Sequence, residues 1–376
     1  LLQFIFIYYK DCELITNMIK KYELYLAKVF LRKIVKISAL FLSLIFILNI
    51  FDEISFFNDL KVNFLFPFLL SIINTPTIIF EIFPFIFLIS SQFFFIEIFN
   101  KNELEFLKIN GLNNLKIIKV LFLTSLLIGL TLPTLYYSFS SKLKFLYLDL
   151  KNSYSKDDKY LAVVKESGLW IKDEINEKIY IVNANKIEGD FLKNVTINEF
   201  NINFNLERRI ESANVDISKM SWIIAGGTIF HDNTIFDIKE KIIINTHFNT
   251  RKIRTLFKNL TSLNMIELIK LRKQYKSLNY STSEVDFHLH KLYSFPLYLS
   301  IMTIITAITM FNIKRNQSTI FHLVFGVFLS VLIYYFTYLF NLLGVNAKIP
   351  LLISVYFPFL ILSLFILIGL IKINEK

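Results

Sequence analysis

A chain of 376 residues in which 54% are hydrophobic and 41 are phenylalanine, with mean hydropathy +0.52, carries more apolar surface than a soluble core buries; it reads as an integral membrane protein. The net charge of +11 does not point to nucleic acid, because the lysines crowd beside apolar runs instead of interleaving with base-stacking aromatics. The single cysteine, Cys12, excludes an intramolecular disulfide framework and any CxxC metal or redox site.

Residues 1–17 read as an upstream extension before a more conventional start at Met18; no small-residue cleavage site follows their short apolar stretch, which argues against a signal peptide. Crossing about 30 Å of hydrocarbon takes about 20 apolar residues in a helix. Six segments meet that length. The first, about 30–51, is entered through Lys28, Arg32, Lys33 and Lys36. The second lies inside 62–98, too long for one upright helix, so Asn74-Thr75-Pro76 is expected to divide a short interfacial piece from the span. Within it Glu81 is an ionisable group at membrane depth, either functional or close enough to the outer interface to snorkel or stay protonated.

Between spans two and three, "NKNELEFLKINGLNNLK" at 100–116 has a helical pattern. Asn100 or Asn102 can cap it, Glu103 and Glu105 fall in the first turn, and Lys108 and Lys116 fall later, an order that complements the helix dipole. Leu104, Leu107, Gly111, Leu112 and Leu115 form an apolar stripe suited either to lipid headgroups or to a groove on a partner. Span three is about 118–138.

From about 140 to 285 the period changes to short β-branched and aromatic runs: "YLAVVKE", "GLWIKD", "KIYIVNA", "NVTINEF", "RRIESANVD", "MSWIIAG" and "EKIIINTHF". Strands at this spacing predict a sandwich or roll. "TSLNMIELIKLRKQYKSL" predicts a helix entered through hydroxyls at the N-cap. Spans four to six follow at about 292–312, 319–342 and 349–372. Lysine and arginine before span one, between spans two and three (Lys101, Lys108, Lys116, Lys119) and between spans four and five (Lys314, Arg315) place those segments and both termini in the cytoplasm; the β-domain then lies outside.

Catalytic signatures are missing. None of the nine glycines sits in a GxxxxGK[ST] loop, no GxSxG, HExxH, kinase or receiver signature occurs, and no cofactor or metal is expected. His288 and His290 are two apart and diverge on a helix, which favours structural roles over a metal site.

"ELEFLKINGLN" resembles the cytoplasmic coupling-helix segment of the LptF/LptG permeases of lipopolysaccharide export, typically S/E-E-L-x-x-x-x-A-x-G. "GLWIKD", "LERRIESANVD" with Trp222 downstream, "LHKLYSFPL" and "LLGVNAKIPLLISVYFP" fall in the order of the same family, so the resemblance runs from Met18 to the C-terminus and leans to LptG. Two departures stand out. Asn49 lies just before Phe51 and Asp52 where LptG members often carry a late span-one lysine, and the E-x-x-x-P usual after span three is missing.

The resemblance implies six transmembrane helices with an inserted periplasmic jelly-roll-like β-domain in the bacterial inner membrane: spans one to three within 18–139, the β-domain at 140–285 and spans four to six within 286–376. It implies as partners an ABC ATPase homodimer that grips Glu103, Leu104, Leu107, Gly111 and Leu112, an LptF-like second permease, an LptC-like bridge protein and lipopolysaccharide. Asp52, Lys61, Glu81, Lys142, Lys144 and Lys348 are candidates, by position, to meet the lipid. A different class stays open: a membrane-anchored sensor or assembly scaffold whose β-domain binds a ligand.

Overall fold

The computed structural model describes residues 21–58, 62–63, 65–152, 154, 169–175, 177–231, 234–238, 240–250, 252–253, 259–278, 280–312, 318–346 and 348–374. The extension at 1–17, the strand expected at "YLAVVKE", Lys61, Lys314 and Arg315 lie outside them. Two compact units result: Leu1–Ser140 with Asp286–Lys376, and Ser141–Val285.

In the first unit α1 (Lys21–Phe57) and α2 (Leu65–Asn100) precede the short α3 (Glu103–Ile109). Next come α4 (Asn114–Thr131), a π-helical turn (Leu132–Tyr136) and α5 (Tyr137–Asn152). After the β-unit, α7 (Ser283–Asn312), α8 (Thr319–Val345) and α9 (Leu351–Asn374) complete six helical stretches long and apolar enough to cross a membrane, α4 and α5 counting as one.

The break expected at Asn74-Thr75-Pro76 does not occur: α2 runs through both Pro76 and Pro84. With little water to compete for backbone groups in an apolar interior, the helix persists and side chains bind its carbonyls. Tyr136 Oη donates to Pro76 O (3.1 Å) and Thr75 Oγ1 to Ser71 O (2.6 Å). The polar residues that resembled a linker form a seam instead. Asn74 Nδ2 donates to Asn49 Oδ1 and Asn49 Nδ2 to Ser71 O, both at 3.2 Å and all buried. Edge-to-face phenylalanine pairs, Phe30–Phe94, Phe41–Phe85 and Phe46–Phe68, fill the rest of the α1–α2 contact.

Among the described residues the second unit holds eight antiparallel strands: β1 (Leu169–Ile175), β2 (Lys178–Glu188), β3 (Phe191–Asn201), β4 (Leu206–Asp216), β5 (Ser221–Ile224), β6 (Thr228–His231), β7 (Thr234–Asp237) and β8 (Ile242–Asn245). The sheet order is β1-β2-β3-β4-β5-β8, with β6 paired to β4 and to β7, so the sheet curls. One face supplies Ile171, Val182, Ala184, Val195, Ile197, Ile210 and Val215 to the core, and Trp222 donates its indole N–H to Phe248 O at 2.8 Å. Sequence reading missed β6 and β7; the repeated Thr-Ile-Phe in "TIFHDNTIFD" was the available signal. The closing helix, α6 (Met265–Ser277), is capped by Asn264 and not by the expected hydroxyls, because Glu267 completes a reciprocal capping box with it. Thr261 and Ser262 instead lie in a 3-10 turn, Leu260–Ser262.

Glu199 is 1% exposed and accepts from Lys178 Nζ and Arg208 Nε, both at 2.6 Å. Burial opposes its ionisation, but the two cations outweigh burial and hold its pKa below the ordinary value. A depressed folded pKa stabilises fully above the unfolded value of about 4.3 and less as pH falls through the folded one. Both tryptophans, Trp170 and Trp222, lie in this unit. A red shift of tryptophan emission in the full chain is therefore expected as pH drops below about 4, and Glu199→Gln should flatten that dependence.

The outward edge of β1 is occupied by side chains. Lys172 N–H donates to Tyr280 Oη (3.1 Å), and the same hydroxyl donates to Lys172 O (3.0 Å). Glu174 N–H donates to Asp173 Oδ1 at 3.0 Å, and Asp173 is held by His247. Burial raises the Tyr280 pKa, so the phenol stays protonated. Tyr280→Phe keeps the ring against Phe248 and should speed hydrogen exchange at the Lys172 amide about 5-fold, for a net bond of about 1 kcal/mol.

Candidate functional site

The expected helix over 100–116 is two helices. α3 has seven residues and ends at a left-handed Gly111, φ +83°. Gly111 N–H bonds to Lys108 O (2.9 Å) and Leu112 N–H to Leu107 O (3.0 Å), the bond pair of a Schellman motif, with Leu107 and Leu112 both buried as its apolar contact. Asn113 then caps α4, accepting from Lys116 N–H at 2.9 Å. A Cβ on Gly111 would meet nothing of this chain within 4 Å, so within the chain the glycine serves the turn's backbone angle.

This turn decides which side chains face outward. Leu107 and Leu112 of the predicted stripe point inward, Leu104 is half-buried, and Glu103 accepts from Tyr25 Oη of α1 at 2.9 Å. Phe106 and Ile109 are 67% and 85% exposed. Sequence reading passed over both because it assumed one continuous helix. At the entry to α3, Glu97 pairs with Lys33 of α1 and with Lys101 at 2.6 Å. α3 is thus a short helix seated on its inner leucines, tethered through Glu103 and carrying two unsatisfied apolar side chains. Such a projection suits an apolar groove on another protein.

A family model described as lipopolysaccharide export system permease LptF/LptG matches residues 24–372. The chain belongs to the LptF/LptG family. No curated protein matches it. Membership makes this chain a non-enzymatic, multi-pass permease subunit of a lipopolysaccharide export transporter.

In this LptF/LptG permease the charged lipid candidates are dispersed. Asp52 on α1, Glu81 on α2, Lys142 on α5 and Lys348 before α9 are exposed, while Lys144 is half-buried with Nζ 4.6 Å from the Tyr147 ring centre. Beside Asp52, Glu53 is the buried carboxyl, 1% exposed. Asn49 is taken up by the α1–α2 seam. His288 and His290 diverge as their spacing predicted: His288 Nε2 meets Tyr137 Oη at 2.7 Å and His290 Nδ1 meets Tyr356 Oη at 3.3 Å. Among the described residues no group of three metal-ligating side chains forms.

Proposed function

We propose that this chain takes the LptG seat beside a second permease and extracts lipopolysaccharide from the outer leaflet of the bacterial inner membrane. Energy comes from a cytoplasmic ABC ATPase dimer docked on α3, and the β-domain on the periplasmic side passes the lipid to an LptC-like bridge. The observation that carries the reading is α3 itself, a helix between two spans whose Phe106 and Ile109 project outward from a seated inner face. Lys101 before it and Lys108 in its last turn are cationic, as expected for a cytoplasmic loop.

With Glu97 at the cytoplasmic end, Glu81 lies about 24 Å further along α2 at about 1.5 Å per residue. That distance approaches the hydrocarbon thickness of about 30 Å, which puts Glu81 near the outer interface, close to where a lipid A headgroup lies. Apolar span faces take up the acyl chains, and Lys142 and Lys348 are candidate donors to phosphate.

Mild-detergent isolation from the native membrane, with mass spectrometry of proteins and lipids, tests this. An ABC ATPase, a second six-span permease and lipopolysaccharide are expected to co-purify. Recovery of the chain alone, under conditions that keep other ABC complexes intact, would favour a sensor or scaffold.

A further inference from the structure

We infer that Lys33 and Glu97 are positioning residues that fasten α1 to the docking helix, so that α1, α2 and α3 move together when α3 is displaced. The inference rests on α3 being the ATPase dock. Two polar staples hold the α1–α2 pair. At the α3 end, Lys33 of α1 pairs with Glu97 near the end of α2, and Glu97 also binds Lys101, two residues before α3. At the far end, Asn74 Nδ2 donates to Asn49 Oδ1 and Asn49 Nδ2 to Ser71 O.

Between the staples lies Phe41–Phe85, with Phe30–Phe94 beside the ion pair; both contacts are apolar and non-directional and can slide or repack. The ion pair cannot slide without separating charges in a largely desolvated place. Lys33 and Glu97 side chains are only 17% and 22% exposed. Tyr25, two turns before Lys33, adds a side-chain hydrogen bond from α1 to α3, Tyr25 Oη to Glu103 Oε2.

The arrangement matters because it fixes α1 at the end of its α2 contact that lies next to α3. Only 22% of its most apolar stretch is buried within the chain, against 72% for α2. A push on α3 reaches α1 through the packed α1–α2 face, to which Lys33–Glu97 and Tyr25–Glu103 add the directional links at the α3 end. α1 then shifts its exposed face, which includes Leu40, Leu44, Ile47 and Leu48, against whatever lipid or helix lines it.

The test uses the complete transporter in proteoliposomes containing lipopolysaccharide, measuring ATP turnover and lipid released to a periplasmic acceptor. Lys33→Met keeps the aliphatic stem and removes the charge; it should lower lipid released per ATP about 10-fold while ATP turnover persists. Lys33→Arg should restore the ratio. Tyr25→Phe, which deletes one hydroxyl, should lower it less, and serves as the readout should Lys33→Met fail to assemble.

An unchanged ratio in Lys33→Met, or in Tyr25→Phe where Lys33→Met does not assemble, overturns the inference. A wild-type complex with no lipopolysaccharide-dependent ATP turnover would instead overturn the transport reading, so the two failures are distinguishable.

Discussion

Phe106→Asp is expected to strip the ATPase from the complex, cutting its recovery in mild detergent about 10- to 100-fold. Burying a phenylalanine is worth about 1.5–3 kcal/mol, and each 1.4 kcal/mol is about a factor of ten in affinity. Aspartate adds a desolvation penalty within the same groove. The substitution should leave the chain's own packing intact, because Phe106 is 67% exposed while Leu107 and Leu112 hold α3 from the other side. Ile109→Asp, at 85% exposure, should act in the same direction. Quantified ATPase in the eluate, with monodispersity and tryptophan emission as fold controls, decides. Full recovery with both substitutions would mean that α3 docks nothing through this face. Gly111→Leu is a poorer probe, since its left-handed backbone would strain the turn whether or not a partner binds.

Gly129→Ala is expected to destabilise the helical unit, against its helix propensity. In an exposed helix the exchange would stabilise by about 1 kcal/mol. Here an ideal Cβ lies 2.6 Å from Pro296 Cα, a backbone atom on α7 that no rotamer change can remove. Relief requires α4 and α7 to part. Overpacking of this kind costs about 1–3 kcal/mol and opens a well-packed seam, so the temperature at which the monodisperse peak is lost should fall in Gly129→Ala and fall further in Gly129→Leu. A rise in that temperature for alanine would show the α4–α7 approach to be looser than 2.6 Å. Gly326 makes a useful contrast, because its clash is with the end of the Gln92 side chain. That carboxamide donates to His322 O at 2.7 Å, so alanine there should cost that bond before it costs helix spacing.

What the sequence determined by itself followed from long apolar runs and local periodicity. Hydrophobic length, set by bilayer thickness, defined the spans, and alternation with turn residues marked the sheet between them. The ordered motifs from "ELEFLKINGLN" to "LLGVNAKIP" were enough for the family. Tertiary structure decided what those signals could not encode. Asn74-Thr75-Pro76 has the composition of a break, yet Asn49 across the interface and Tyr136 from the π turn satisfy the groups a break would expose. Asn264 displaced the hydroxyls as a cap because Glu267 answers it.

Over 100–116 the sequence pattern identified a short helix between two spans but not the turn that divides it. The apolar stripe assumed 3.6 residues per turn throughout 100–116, whereas Gly111 reverses the chain and turns Leu107 and Leu112 inward. A helical period identifies which residues share a side. Only the tertiary packing of that side, which buries Leu107 and Leu112, settles whether it looks into the protein or away from it.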